Sequence, residues 1–179
     1  MRASTVLGVF VLAAALAVPA TAASSPVTGS IQVTAHVDPS CKWVSAQSIA
    51  FNNYDPVDAN STVPLDATGS VTLRCAKYGI YWVSLGQGLN AATGSNCLAP
   101  LRQLKAASVA PAAYLRYDVY WDLERTHAWG CDTSNRAGFS PSTATQDLNV
   151  TLYARIPGGQ DVWSDYTNYS DTIQVTVTF

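Results

Sequence analysis

The sequence is short of charge. Lys, Arg, Asp and Glu make up 12% of its 179 residues, about half the usual share for a soluble domain. It has three Lys and a single Glu, Glu124. That is poor material for long solvated helices. Ser and Thr, 17 of each, take over the polar positions. The balance of 10 Lys+Arg against 12 Asp+Glu offers no basic face, which a nucleic-acid binder would need. The four cysteines form no Cys-x-x-Cys pair, the usual signature of a structural zinc site. What is present is a core. Apolar residues reach 48% and aromatics 10%, which argues against disorder and fits one packed domain.

The amino terminus has the three parts of an export signal. Met1-Arg2 supplies one positive charge, Val6 to Val18 is a 13-residue apolar run, and Val18-Pro19-Ala20-Thr21-Ala22-Ala23 offers small residues for cleavage after Ala22 or Ala23. A membrane anchor would need about 20 apolar residues. Residues 1–23 are therefore read as a signal peptide, and the mature chain as exported. In an oxidising compartment an even cysteine count predicts disulfides. Cys41, Cys75, Cys97 and Cys131 allow three connectivities, and sequence alone does not choose among them.

The rest of the chain reads as strands. Val27, Gly29, Ile31, Val33, Ala35 and Val37 alternate with polar residues at period two. Ile173, Val175, Val177 and Phe179 do the same at the other end. Between them lie Val71–Cys75, Ile80–Leu85, Tyr114–Trp121 and Leu148–Ile156, rich in β-branched and aromatic residues. Turn-like stretches such as Asp66–Gly69 and Pro157–Gly159 bound them. Leu98 to Ala107 is the one helix-like stretch; Pro100 and Pro111 keep it short, and a strand fits it as well. The expectation is an all-β, immunoglobulin-like sandwich of about seven strands.

Catalytic chemistry finds little footing. His36 falls on the polar face of the first alternating segment, and His127 in a turn, Arg125-Thr126-His127-Ala128. Neither has a Gly-x-Ser-x-Gly elbow or a free thiol to serve. The Asp residues cluster in turns such as Asp55-Pro56 and Asp132-Thr133-Ser134, where Asp bonds its own backbone. No enzyme, cofactor or metal site is expected. The aromatics invite a sugar-binding reading, but in a sandwich they more often fill the core or pair across strands.

The first alternating segment, directly behind the cleavage site, has two readings. It is either the first strand of its own sandwich or a strand donated to a neighbour, where backbone bonds give affinity and alternate side chains fill pockets. An apolar strand free at a terminus is an aggregation hazard, and Gly29 suits close backbone approach. Periodicity alone leaves both open.

The chain resembles the spore coat protein U-like domain family, subunits of archaic chaperone–usher pili. The resemblance rests on Thr34-Ala35-His36-Val37-Asp38-Pro39-Ser40-Cys41, on Tyr54-Asp55-Pro56, and on Pro64 through Val71 leading to Leu73-Arg74-Cys75. It continues in Tyr117-Asp118-Val119-Tyr120-Trp121-Asp122 with Arg125-Thr126 and Trp129-Gly130, in Tyr153-Ala154-Arg155-Ile156-Pro157, and in the ending Tyr169 to Phe179. No piece is specific alone; their order and end position are. Many members have Gly where Ala154 stands, and Cys97 and Cys131 are not general to the family.

The resemblance implies a sandwich missing its last strand, completed by a neighbour's donor strand. Residues 24–37 would be the donor segment and 38–179 the pilin domain. Val27, Gly29, Ile31, Val33, Ala35 and Val37 would enter the neighbour's groove. Ile173, Val175, Val177 and Phe179 would border it and pair first with a periplasmic chaperone. The implied partners are copies of itself or sister pilins, that chaperone and an outer-membrane usher, with no nucleic acid and no small-molecule cofactor. The implied product is a surface fibre serving adhesion or biofilm formation. A self-contained secreted binding module and a resting-cell coat protein are the alternatives. The resemblance also favours Cys41–Cys75, which leaves Cys97–Cys131 as a local staple.

Overall fold

The computed structural model describes residues 25–108, 110–143, 146–164 and 168–179. Residues 1–23, expected to be a signal peptide, lie outside the described residues. Residues 25–40 form no strand. Val27, Ile31 and Val33 are 100%, 91% and 90% exposed, so the period-two pattern there has no apolar surface to face.

Among the described residues nine strands follow: β1 (Cys41–Gln47), β2 (Leu65–Cys75), β3 (Tyr81–Leu85), β4 (Arg102–Ala106), β5 (Tyr114–Tyr120), β6 (Ala137–Phe139), β7 (Leu148–Ile156), β8 (Tyr169–Ser170) and β9 (Val175–Thr178). They form a six-stranded sheet in the order β1-β2-β7-β5-β4-β8 and a three-stranded sheet in the order β6-β3-β9, with every pairing antiparallel. The described residues contain no helix, and the two sheets make a sandwich.

Side-chain alternation builds the core. Val71, Leu73 and Cys75 of β2, Leu115, Tyr117 and Val119 of β5, and Val150, Leu152, Ala154 and Ile156 of β7 point inward. Tyr81, Val83 and Leu85 of β3 meet them from the other sheet. Trp129 is fully buried, and its indole nitrogen donates to the Val83 carbonyl at 2.9 Å, so its one polar atom is satisfied.

The stretch from Leu98 to Ala107 takes the strand alternative, as β4, where Arg102 and Ala106 are buried and Lys105 is exposed. One expectation is overturned. Asp66–Gly69 is not a turn but the first half of β2, paired residue by residue with β7 through Ala67↔Ala154 and Gly69↔Leu152. Turn-forming residues are tolerated there because Asp66 faces outward to Arg155, 2.7 Å away. Strand β1 had no clear alternation to read, because its register shifts between Trp43 and Ser45.

The disulfides pair Cys41 with Cys75 and Cys97 with Cys131. The first joins directly opposed residues of β1 and β2. The second ties the loop before β4 to the loop before β6, where the Cys131 amide also donates to the Cys97 carbonyl at 3.1 Å.

Candidate functional site

The sandwich is open along one side. Strand β9 pairs only with β3, and β1 pairs only with β2, so each sheet ends on an edge with no strand beyond it among the described residues. Between these two lips lies a cavity of about 400 Å³. Trp43 and Ala46 of β1 form one wall, and Ile173 and Val175 the other. Tyr117 and Leu152, core residues of the large sheet, also line it. A second cavity of about 860 Å³ shares Ile49, Phe51, Leu104 and Asp171 with the first and extends it toward Pro56, Val57 and Ile156. The groove therefore runs over the core, with its wider part at the end where β2 begins and β7 finishes.

Four residues of the C-terminal segment were expected at this edge. Ile173 and Val175 line the groove, and Val177 packs half-buried against the core. Thr176 and Thr178 alternate with them on the exposed face. Phe179 stands 61% exposed, its ring centroid 5.8 Å from that of Tyr81. Half-burial is what an edge strand shows when the sheet ends beside it.

The junction of the two cavities is polar at Asp171, and sequence reasoning did not single it out. Tyr117 donates its hydroxyl to Asp171 Oδ2 at 2.8 Å. Asp171 Oδ1 accepts from the backbone amides of Leu89 at 2.9 Å and Asn90 at 3.1 Å. Burial, then the hydrogen bond to Asp171, pushes the Tyr117 phenol far above its ordinary range. Arg102 is 1% exposed. Its guanidinium donates to the carbonyls of Leu85, Gly86 and Trp129 at 2.7–3.1 Å, closing the end of β3. Burial lowers its pKa, opposed by the nearby Tyr117, Asp118 and Asp171, and an arginine so bonded stays charged. No periodicity marks such residues. Arg102 interrupts an otherwise unremarkable strand, and Asp171 precedes the C-terminal alternation by two residues.

His127 is accounted for by local structure. His127 lies 2.9 Å from Thr126 Oγ1 and stacks on Trp121 at 4.5 Å between centroids. Asp122 organises that turn. Burial raises its pKa, but the amide and hydroxyl of Thr126 and the amide of His127 outweigh it and hold the carboxyl well below the usual range. The turn aspartates behave as read. Asp55 Oδ1 accepts from the amides of Val57 and Asp58, and Asp132 Oδ1 from Ser134.

Known proteins similar to this chain are as follows. A family model described as the Spore Coat Protein U domain matches residues 27–176. "Protein U" of Myxococcus xanthus is 33% identical over 180 residues, covering 98% of this chain and 97% of that protein. Among solved structures, a chain is similar in the chaperone–tip adhesion subunit pre-assembly complex from archaic chaperone–usher Csu pili of Acinetobacter baumannii. It is 21% identical with a TM-score of 0.47, and the match covers 80% of this chain and 40% of that one.

Proposed function

The chain belongs to the spore coat protein U domain family, and from that premise we propose that it is a structural, non-enzymatic subunit of a secreted surface fibre, joined to its neighbours by strand exchange. The observation that carries this reading is the unpaired edge of β9 beside an open apolar groove. An edge of that kind, left bare, templates aggregation. A strand laid along β9 would satisfy the free backbone groups and cover Ile173 and Val175.

The same chain carries a suitable occupant. Val27, Ile31, Val33 and Val37 are exposed on a segment that forms no strand. Gly29 and Ala35 share their parity. Burying four such side chains in a neighbour contributes roughly 6–12 kcal/mol, at about 1.5–3 each, before ordering costs. Residues 24–37 are thus the donor, and 38–179 the acceptor domain. Before assembly the groove needs a temporary cover, which is the role of a periplasmic chaperone, and an outer-membrane usher completes the route to the cell surface.

A coat of resting cells is the second reading, favoured by the family's own description. The same joint builds either assembly. A self-contained binding module would need a closed core, and the open groove speaks against it.

The test is to export the chain with its signal, purify the periplasmic material and run it unboiled on a denaturing gel. The expected result is a ladder of multimers that collapses on boiling and is lost when residues 25–36 are deleted. A single monomer band from the intact chain, with a reversible melt, would sink the proposal.

A further inference from the structure

Strand β2 separates two ends of the domain. It is 11 residues long, or about 35 Å. At its finish, Cys75 opposes Cys41, and the Ala76 amide donates to the Ser40 carbonyl at 2.8 Å. The segment that precedes the domain therefore leaves from this end. The turn that follows β2 presents Tyr78 at 70% and Ile80 at 65% exposure. Lys77 Nζ sits 4.6 Å from the centre of the Tyr78 ring. Tyr78 is held at φ +59°, a conformation that a bulky residue adopts at a cost, and its amide is fixed to the Pro141 carbonyl at 2.9 Å. The fold holds an aromatic ring out into solvent on strained backbone, which does nothing for its own core.

At the start of β2, Leu65 opposes Ile156. The loop before it displays Val57, 87% exposed, beside Asp58. That loop is built rather than loose. Asp55 caps the amides of Val57 and Asp58, and the Asn60 carbonyl accepts from the Gly159 amide at 2.8 Å. Val57 also lines the wide end of the groove.

Resting on the strand-exchange reading, we infer that these two ends form a second, head-to-tail contact between successive copies of the chain. Lys77, Tyr78 and Ile80 of one copy dock on Val57 and Asp58 of the next. Reach constrains where the next copy can sit. If residues up to Val37 lie in the neighbour's groove, only Asp38, Pro39 and Ser40 intervene before Cys41. Val37 to Cys41 spans at most about 14 Å. A donor that enters at the wide mouth must bring its own Cys41 end against the Val57 loop. The chemistry matches there: an apolar patch with a lysine faces an apolar patch with an aspartate, a pairing that favours this end over a like-charged one. The contact is heterologous, so repetition gives a filament rather than a closed dimer.

The experiment images fibres of the full chain by negative-stain electron microscopy and runs the unboiled gel beside it. Tyr78→Asn keeps a residue that tolerates positive φ while removing the ring. Together with Ile80→Ser, it should leave the gel ladder intact and at least halve the persistence length of the fibre. Lys77→Glu should do the same, and adding Asp58→Lys should restore stiffness. An intact ladder with unchanged stiffness in both Tyr78→Asn/Ile80→Ser and Lys77→Glu overturns the end contact while sparing strand exchange. Absence of a ladder in the parent chain instead overturns the exchange on which it rests.

Discussion

The hydroxyl of Tyr117 and the carboxylate of Asp171 meet at 2.8 Å, joining β5 of the large sheet to the segment that carries the chain from β8 into β9. Asp171 is thus the point where the C-terminal segment leaves one sheet for the other. Its second oxygen holds the loop at Leu89 and Asn90, and a side chain at Gly88 would run into the first, the Oδ2 that Tyr117 bonds. The groove's edge strand hangs from this carboxylate. Tyr117→Phe removes one hydrogen bond and should cost about 1 kcal/mol. Asp171→Ala orphans several donors at once, and about 3 kcal/mol is expected. Urea melts of the two variants against the parent check the order; equal losses would show that the loop contacts contribute nothing.

Asp66 makes a pH prediction. Its carboxylate takes two bonds from Arg155, at 2.7 and 2.8 Å, with Arg125 3.4 Å away. The hydrogen bond from Arg155 leads in holding its pKa below the ordinary 3.8, against a smaller effect of burial. A carboxyl whose folded pKa is depressed stabilises the fold above its unfolded pKa and loses that contribution as pH falls through the folded value. Stability should therefore hold at neutral pH and begin to fall below about pH 4. The pair is about a third exposed, so the share is at most about 1 kcal/mol. Melting temperatures of the parent and of Asp66→Asn should differ at pH 7 and converge toward pH 2. A constant difference would remove the ion pair from the account.

Much of this was legible in advance, for physical reasons that also explain the gaps. Strands β2, β3, β5, β7 and β9 bury one face, so their alternation is written in the residues. The order of short segments from Thr34 to Phe179 carried the family. Strand β1 was not legible, because most of it is exposed and a bulge breaks its period. The short strands β6 and β8 have three and two residues, too few to show any period. Asp66–Gly69 looked like a turn because composition cannot see partners as distant in sequence as Arg155 and Leu152. Arg102, Tyr117 and Asp171 come together only through the sheet order, and local patterns do not encode that.

The two disulfides should differ in effect. Each closes a loop with a sequence separation of 34. Loop entropy alone gives each about 3–4 kcal/mol. Cys41–Cys75 also fixes the start of β1, one lip of the groove, whereas Cys97–Cys131 staples loops at the other end of β3. Replacing either pair by Ala should lower stability by a similar amount. Only Cys41→Ala/Cys75→Ala should weaken the gel ladder beyond what stability explains. A ladder equally sensitive to both pairs would mean that β1 has no special part in the groove.

Direction offers the sharpest test of the joint. In strand exchange, each copy gives with one end and receives with the other, so the two functions can be removed separately. Ile31→Asp puts a charge into the donated face, and that subunit should still accept. Val175→Asp puts a charge into the groove wall, and that subunit should still donate. A buried unpaired carboxylate costs several kcal/mol, enough to cancel much of the gain from four apolar side chains. Each variant exported alone should give monomers on the unboiled gel. Exported together they should give dimers and nothing longer, because the Ile31→Asp subunit has nothing to offer a third copy and the Val175→Asp subunit has nowhere to receive one. Pairing of the segment within its own chain predicts otherwise: mixing would change nothing, and Ile31→Asp and Val175→Asp would each simply lose stability.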